Sequence, residues 1–71
     1  MKCLTLCTPG KYKIKFTKPW SKRLSEMGFI VDRRLYVIAN NSLGIRIRID
    51  NAVYLINQMT AVLIYVEPVE E

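Results

Sequence analysis

The chain contains no histidine and only two cysteines, Cys3 and Cys7. That inventory excludes most metal chemistry, because ferrous and zinc sites are built from imidazole with carboxylates or from clustered thiolates. It also removes the commonest general base, and no serine or cysteine can be matched with a basic partner as a nucleophile. The acids Glu26, Asp32 and Asp50 are scattered and read as turn or surface groups. The expectation is a protein with no catalytic residue, no metal ligand set and no cofactor. Long apolar runs are missing too. The longest, Ala61 to Val66, is far short of the roughly 20 residues a membrane-spanning helix needs. Met1 to Gly10 lacks the apolar core and the small-residue pattern of a signal peptide. A cytoplasmic protein with reduced thiols is expected, since bridging Cys3 to Cys7 would close a loop too small to stabilise much.

Negative charge is missing from the front of the chain. Residues 2 to 23 carry Lys2, Lys11, Lys13, Lys15, Lys18, Lys22 and Arg23 with no acid among them. Residues 50 to 71 reverse this, with Asp50, Glu67, Glu70 and Glu71 and no base. The net charge is +5. A basic front half points to an anionic partner, either nucleic acid, lipid head groups or an acidic protein face. The plainer reading is a solvated lysine surface that keeps the domain soluble.

What remains is a short, apolar, strand-rich chain. Its 71 residues make a single domain over 1–71, and 51% of them are hydrophobic. A domain this small buries only about 60% of the surface its unfolded chain exposes, so its stability margin is thin. Such an apolar composition argues for a compact core and for some surface reserved for a partner.

Pro9-Gly10 marks a turn after a lead-in. Lys11 to Lys18 then alternates, with Tyr12, Ile14 and Phe16 on one face and lysines on the other, which predicts a half-buried strand. Leu35 to Ala39 is a β-forming run. Asn40 to Gly44 reads as a polar loop whose asparagines and glycine can supply positive φ. Ile45-Arg46-Ile47-Arg48-Ile49 is the cleanest alternation. Asp50-Asn51 makes a two-residue hairpin turn, and Ala52 to Ile56 returns. That register sets Ile49 opposite Ala52, Ile47 opposite Tyr54 and Ile45 opposite Ile56 on the core face. It pairs Arg48 with Val53 and Arg46 with Leu55 on the other face, whose apolar members are unexpected for a solvated surface. Asn57 to Val62 reads as a turn or a single 3₁₀ turn. Leu63 to Val66 is a last strand ended by Pro68.

One stretch breaks the β pattern. Trp20, Leu24 and Met27 recur at helical spacing, Pro19 or Ser21 suits a helix start, and Gly28 suits the left-handed position just past a helix end. A Leu24–Phe29 contact is expected to accompany that ending. The predicted fold class is mainly β: a small five-stranded barrel with one short helix inserted between strands 1 and 2, since closure removes exposed edges.

The order of these features resembles the FeoA family, the small cytosolic component of bacterial ferrous iron transport. The resemblance rests on Thr8-Pro9-Gly10 before the first strand and on Arg23-Leu24-Ser25-Glu26-Met27-Gly28-Phe29 at the helix end. It rests also on Ser42-Leu43-Gly44 and on Ala61 followed by Ile64-Tyr65-Val66-Glu67. It implies an SH3-like barrel and a non-catalytic accessory role beside the FeoB membrane permease, by docking on its cytosolic GTPase domain and modulating it. Recruitment to the inner face of the plasma membrane would follow. Two turns depart from the family pattern. Val31-Asp32 stands where Pro-Gly is usual, and Asn51 where the hairpin usually has glycine.

The partner-binding surface is expected at Arg23, Met27, Gly28, Phe29 and Ile30, with barrel plugging as the plainer role for Met27 and Phe29. Arg46, Arg48, Val53 and Leu55 form a self-association patch for a homo-oligomer or a crystal contact. The alternative function is single-stranded nucleic-acid binding by Lys11, Lys13, Lys15, Lys18 and Lys22 with Tyr12, Phe16 and Trp20. Strict alternation argues against it, because it puts Tyr12 and Phe16 on the face opposite the lysines.

Overall fold

A computed structural model describes residues 1–17, 25, 26 and 28–69. Among these, six antiparallel strands form one sheet. They are β1 (Lys2–Cys3), β2 (Gly10–Thr17), β3 (Arg34–Asn41), β4 (Gly44–Ile49), β5 (Ala52–Ile56) and β6 (Ile64–Pro68). The spatial order is β1-β6-β2-β3-β4-β5. The mainly β fold is as the periodicity predicts. The closed five-stranded barrel is not: there is one more strand, and β1 and β5 are the two ends of an open ladder.

The reason lies in what joins those ends. β1 is only two residues long and gives way to a 3₁₀ turn, Leu4–Leu6. β5 stops at Asn57, whose side chain accepts from the Thr60 N–H at 2.7 Å and caps the one-turn helix α1 (Gln58–Ala61). The Cys3 thiol donates to the Ala61 carbonyl at 3.5 Å. Helix and 3₁₀ turn therefore stand where a further strand pairing would have closed the barrel. The lead-in is part of the core as a result, with Leu4 and Cys7 buried.

One face of the sheet holds the core. Tyr12 and Ile14 of β2, Leu35 and Val37 of β3, the three isoleucines of β4, Ile56 of β5 and Ile64 and Val66 of β6 are all buried. The β4–β5 register is the predicted one, from Ile49↔Ala52 to Ile45↔Ile56. Phe29, Leu4, Cys7 and Ala61 cover this face.

Two bulges change the outcome of simple alternation. In β2, Ile14 pairs with Val66 and Phe16 with Tyr65, so Lys15 is an extra residue. An extra residue flips every later side chain to the other face. Phe16, expected in the core, is 42% exposed, with its ring 5.8 Å from that of Tyr65. In β3, Val37 pairs with Ile47 and Ala39 with Arg46, so Ile38 is extra. Asn40 then comes into phase with Ile45, on the core side.

Asn40 and Asn41 belong to β3 rather than to a loop, and neither has positive φ. The Asn40 amide donates to the carbonyls of Thr5 at 3.1 Å and Cys7 at 2.7 Å. Its oxygen accepts from Gln58 Nε2 at 2.9 Å. One side chain thus ties β3 to the lead-in and to α1. Gly44 follows the Ser42-Leu43 tip at φ +142, and a Cβ there would lie 2.5 Å from the Ile56 carbonyl oxygen.

Candidate docking surfaces

The segment before β3 is fixed by backbone bonds. Ser25 and Glu26 are helical. Gly28 takes φ +100, its N–H bonded to the Ser25 carbonyl at 3.1 Å, as a helix-stopping glycine should. The Pro19 or Ser21 start, the stripe of Trp20, Leu24 and Met27, the Leu24–Phe29 contact, and the partner-binding candidates Arg23 and Met27 lie outside the described residues.

After Gly28 the chain turns back. The Arg33 N–H bonds to the Ile30 carbonyl, closing a turn with Asp32 at φ +73. Asp32 donates its N–H to the Ile14 carbonyl at 2.7 Å, and Ile14 donates to Arg33 at 2.9 Å. The turn is thereby locked to β2. Asp32 occupies the position where the family's glycine would stand, and it carries the positive φ that glycine adopts without strain.

This geometry divides the predicted partner surface. Phe29 is fully buried, with its ring 6.2 Å from that of Tyr54. It cannot contact a partner and is corrected to a core residue, the plug over the β4–β5 hairpin. Ile30 is 47% exposed, and Val31 beside it is similarly open. The available surface is therefore the Ile30–Val31 tip. It is flanked by charge: Lys13 Nζ lies 4.0 Å from Asp32, and Arg33 pairs with Asp50 at 3.4 Å.

The second predicted patch is brought together. Arg46 and Arg48 of β4 and Val53 and Leu55 of β5 share the outer face in the expected register. Val53 is 56% and Leu55 64% exposed. Tyr36 and Ile38 of β3 extend this face and were not singled out from the sequence. The signal was present, since burying Leu35 and Val37 forces Tyr36 outward. The Arg48 guanidinium stands over the Tyr36 ring at 5.7 Å. A shallow cleft of about 180 Å³ opens alongside, lined in part by Lys11, Arg34, Tyr36 and Arg48. Among the described residues, Arg34, Arg46 and Arg48 have no acidic partner within ion-pair distance.

The lysine face is partly neutralised. Besides Lys13, Lys15 lies 3.9 Å from Glu67 across the β2–β6 pairing. Tyr12 is buried, and its hydroxyl donates to the Thr8 carbonyl at 2.8 Å. Phe16 alone among the described candidate aromatics shares the lysines' side. Lys18, Lys22 and Trp20 lie outside the described residues. Cys3 and Cys7 are free thiols, and burial pushes the Cys7 thiol above its ordinary pKa. Among the described residues, no group of three or more histidines, cysteines or carboxylates is arranged to hold a metal ion. No helix among them is long and apolar enough to cross a membrane.

Fold and surfaces together define a small, mainly β module with exposed aliphatic side chains at the Ile30–Val31 tip and on the outer face of β5. The family model of the FeoA domain matches residues 4–68. The chain belongs to the FeoA family, and with it to ferrous iron transport. The family is a small accessory domain of that transport, with iron as the system's cargo. No curated protein and no solved structure matches the chain.

Proposed function

We propose that this protein is a non-catalytic accessory of ferrous iron uptake that docks on the cytosolic GTPase part of the FeoB permease and biases its conformation or nucleotide cycle. The observation that carries the reading is the Ile30–Val31 tip. Two adjacent β-branched aliphatic side chains stand exposed on a turn that backbone bonds hold rigid against β2. A preorganised apolar tip loses little entropy on binding. Gly28 leads into the tip, and the proposed contact also includes Arg23 and Met27, which lie outside the described residues. The protein acts in the cytoplasm and reaches the inner face of the plasma membrane only through its partner. Calorimetric titration into the GTPase domain of FeoB from the same organism tests this. Saturable one-to-one binding is expected, weakening as salt rises if the basic front half takes part. Absence of heat with every nucleotide state of that domain would overturn it.

One observation favours single-stranded nucleic acid instead: the β2 bulge puts Phe16 outward beside Tyr65, on the lysine side. Against it stand the burial of Tyr12 and the ion pairs of Lys13 and Lys15. Fluorescence anisotropy with a labelled oligonucleotide decides. Tight, salt-sensitive binding that Phe16→Ala weakens would promote this reading over docking.

A further inference from the structure

We propose that β5 pairs antiparallel with β5 of a second copy of this chain, about a two-fold axis at Tyr54. This is independent of the accessory role above. β5 is the end strand of the sheet. Edge strands are ordinarily blunted by charge, proline, bulges or shortness. The other end, β1, has only two residues and carries Lys2. β5 has five residues, Ala52-Val53-Tyr54-Leu55-Ile56, with no charge, no proline and an unbroken register.

The hydrogen-bond phase of β5 follows from its hairpin. A two-residue loop makes Ile49↔Ala52 a hydrogen-bonded pair, so Ile47↔Tyr54 and Ile45↔Ile56 are hydrogen-bonded as well. Ala52, Tyr54 and Ile56 therefore turn their backbone groups toward β4. Val53 and Leu55 turn theirs to the open edge, where no described residue meets them. An axis at Tyr54 sets Val53 of each copy opposite Leu55 of the other, as hydrogen-bonded pairs. Every outward N–H and carbonyl of those residues then finds a partner. A shift by one residue in either direction leaves part of them unmet.

The side chains agree with the backbone. Val53 and Leu55 are the exposed aliphatic residues of β5, and both lie on the outer face. In the paired arrangement each Val53 lies beside the other copy's Leu55, an apolar cross-strand pair. Arg46 and Arg48 sit one strand further in, so the two sets of arginines stand three strand spacings apart, roughly 14 Å. That exceeds the Debye length of about 8 Å at physiological salt, so their repulsion is screened. The interface is isologous and closes at two copies.

Amide hydrogen exchange by NMR on the full chain, at about 20 µM and about 1 mM, tests this in the range expected for so small an interface. The amides of Val53 and Leu55 should slow as concentration rises, and those of Ala52, Tyr54 and Ile56 should not change. Sedimentation should follow the same series from one copy toward two. Leu55→Lys, at a largely exposed position, should keep the melting temperature of the dilute protein and hold it monomeric throughout. A monomer at every concentration would overturn the proposal, as would a dimer that leaves Val53 and Leu55 unprotected. Protection gained only on adding the GTPase domain would also overturn it, and would give the edge to a strand of that partner.

Discussion

Individual residues carry strain and contacts that can be measured one at a time. Gly44→Ala should lower stability by about 2 kcal/mol or more, because its Cβ would meet the Ile56 carbonyl oxygen and the backbone has positive φ; a thermal melt reads it. Gly28→Val should cost more than about 1 kcal/mol, since a β-branched residue is strained at φ +100. Asp32→Gly runs the other way and should raise stability by up to about 1 kcal/mol, the relief of backbone strain being partly offset by glycine's extra unfolded-state freedom. Asn40→Ala should cost about 2 kcal/mol, because it leaves the carbonyls of Thr5 and Cys7 without that donor. With a thiol reagent near pH 8, Cys3 should react in the folded protein and Cys7 only on unfolding, because Cys7 is buried and its pKa is raised. Glycine roles of this kind were legible in the sequence, since both positions sit at turns. The role of Asn40 was not. Its inward direction depends on the extra residue at Ile38, and no local pattern announces a bulge.

At the scale of elements, the β4–β5 hairpin was the most legible part of the chain. Alternation and a two-residue Asp50-Asn51 loop specify its register completely, and the structure repeats it pair for pair. In the turn itself, only Asp50 takes positive φ. β2 was legible only up to Ile14. The periodicity of two assumes an unbroken ladder, so it assigned Phe16 to the wrong face once Lys15 was bulged out. The burial of Leu4 and Cys7 in the lead-in has no local signal either. It depends on α1 and Asn40, which lie far away in sequence. The turn at 28–33 separates two roles that sequence spacing could not distinguish. Phe29→Ala should cost about 3–5 kcal/mol by emptying the space beside Tyr54. Ile30→Asp, at a half-exposed position, should change the melting temperature little.

For the whole molecule, the open ladder matters more than the strand count. A closed barrel would have no edge to offer. This one ends in β5, whose Val53 and Leu55 face outward, and it presents the Ile30–Val31 tip from a separate segment. The two surfaces come from separate segments, so the two proposals are compatible: one surface would take a second copy while the other takes the permease. The family was legible from the order of short motifs, because most of them are turns and glycine stops that a small β fold cannot do without. The split between buried Phe29 and half-exposed Ile30 was not legible, since burial separates them and no spacing rule does. The most direct measurement is the titration of the FeoB GTPase domain with three forms of this protein: unaltered, Ile30→Asp and Leu55→Lys. The account predicts that Ile30→Asp weakens binding at least about tenfold, roughly 1.4 kcal/mol, while Leu55→Lys binds as the unaltered chain does. Unchanged binding by Ile30→Asp together with loss in Leu55→Lys would contradict it and move the docking site to the β5 edge.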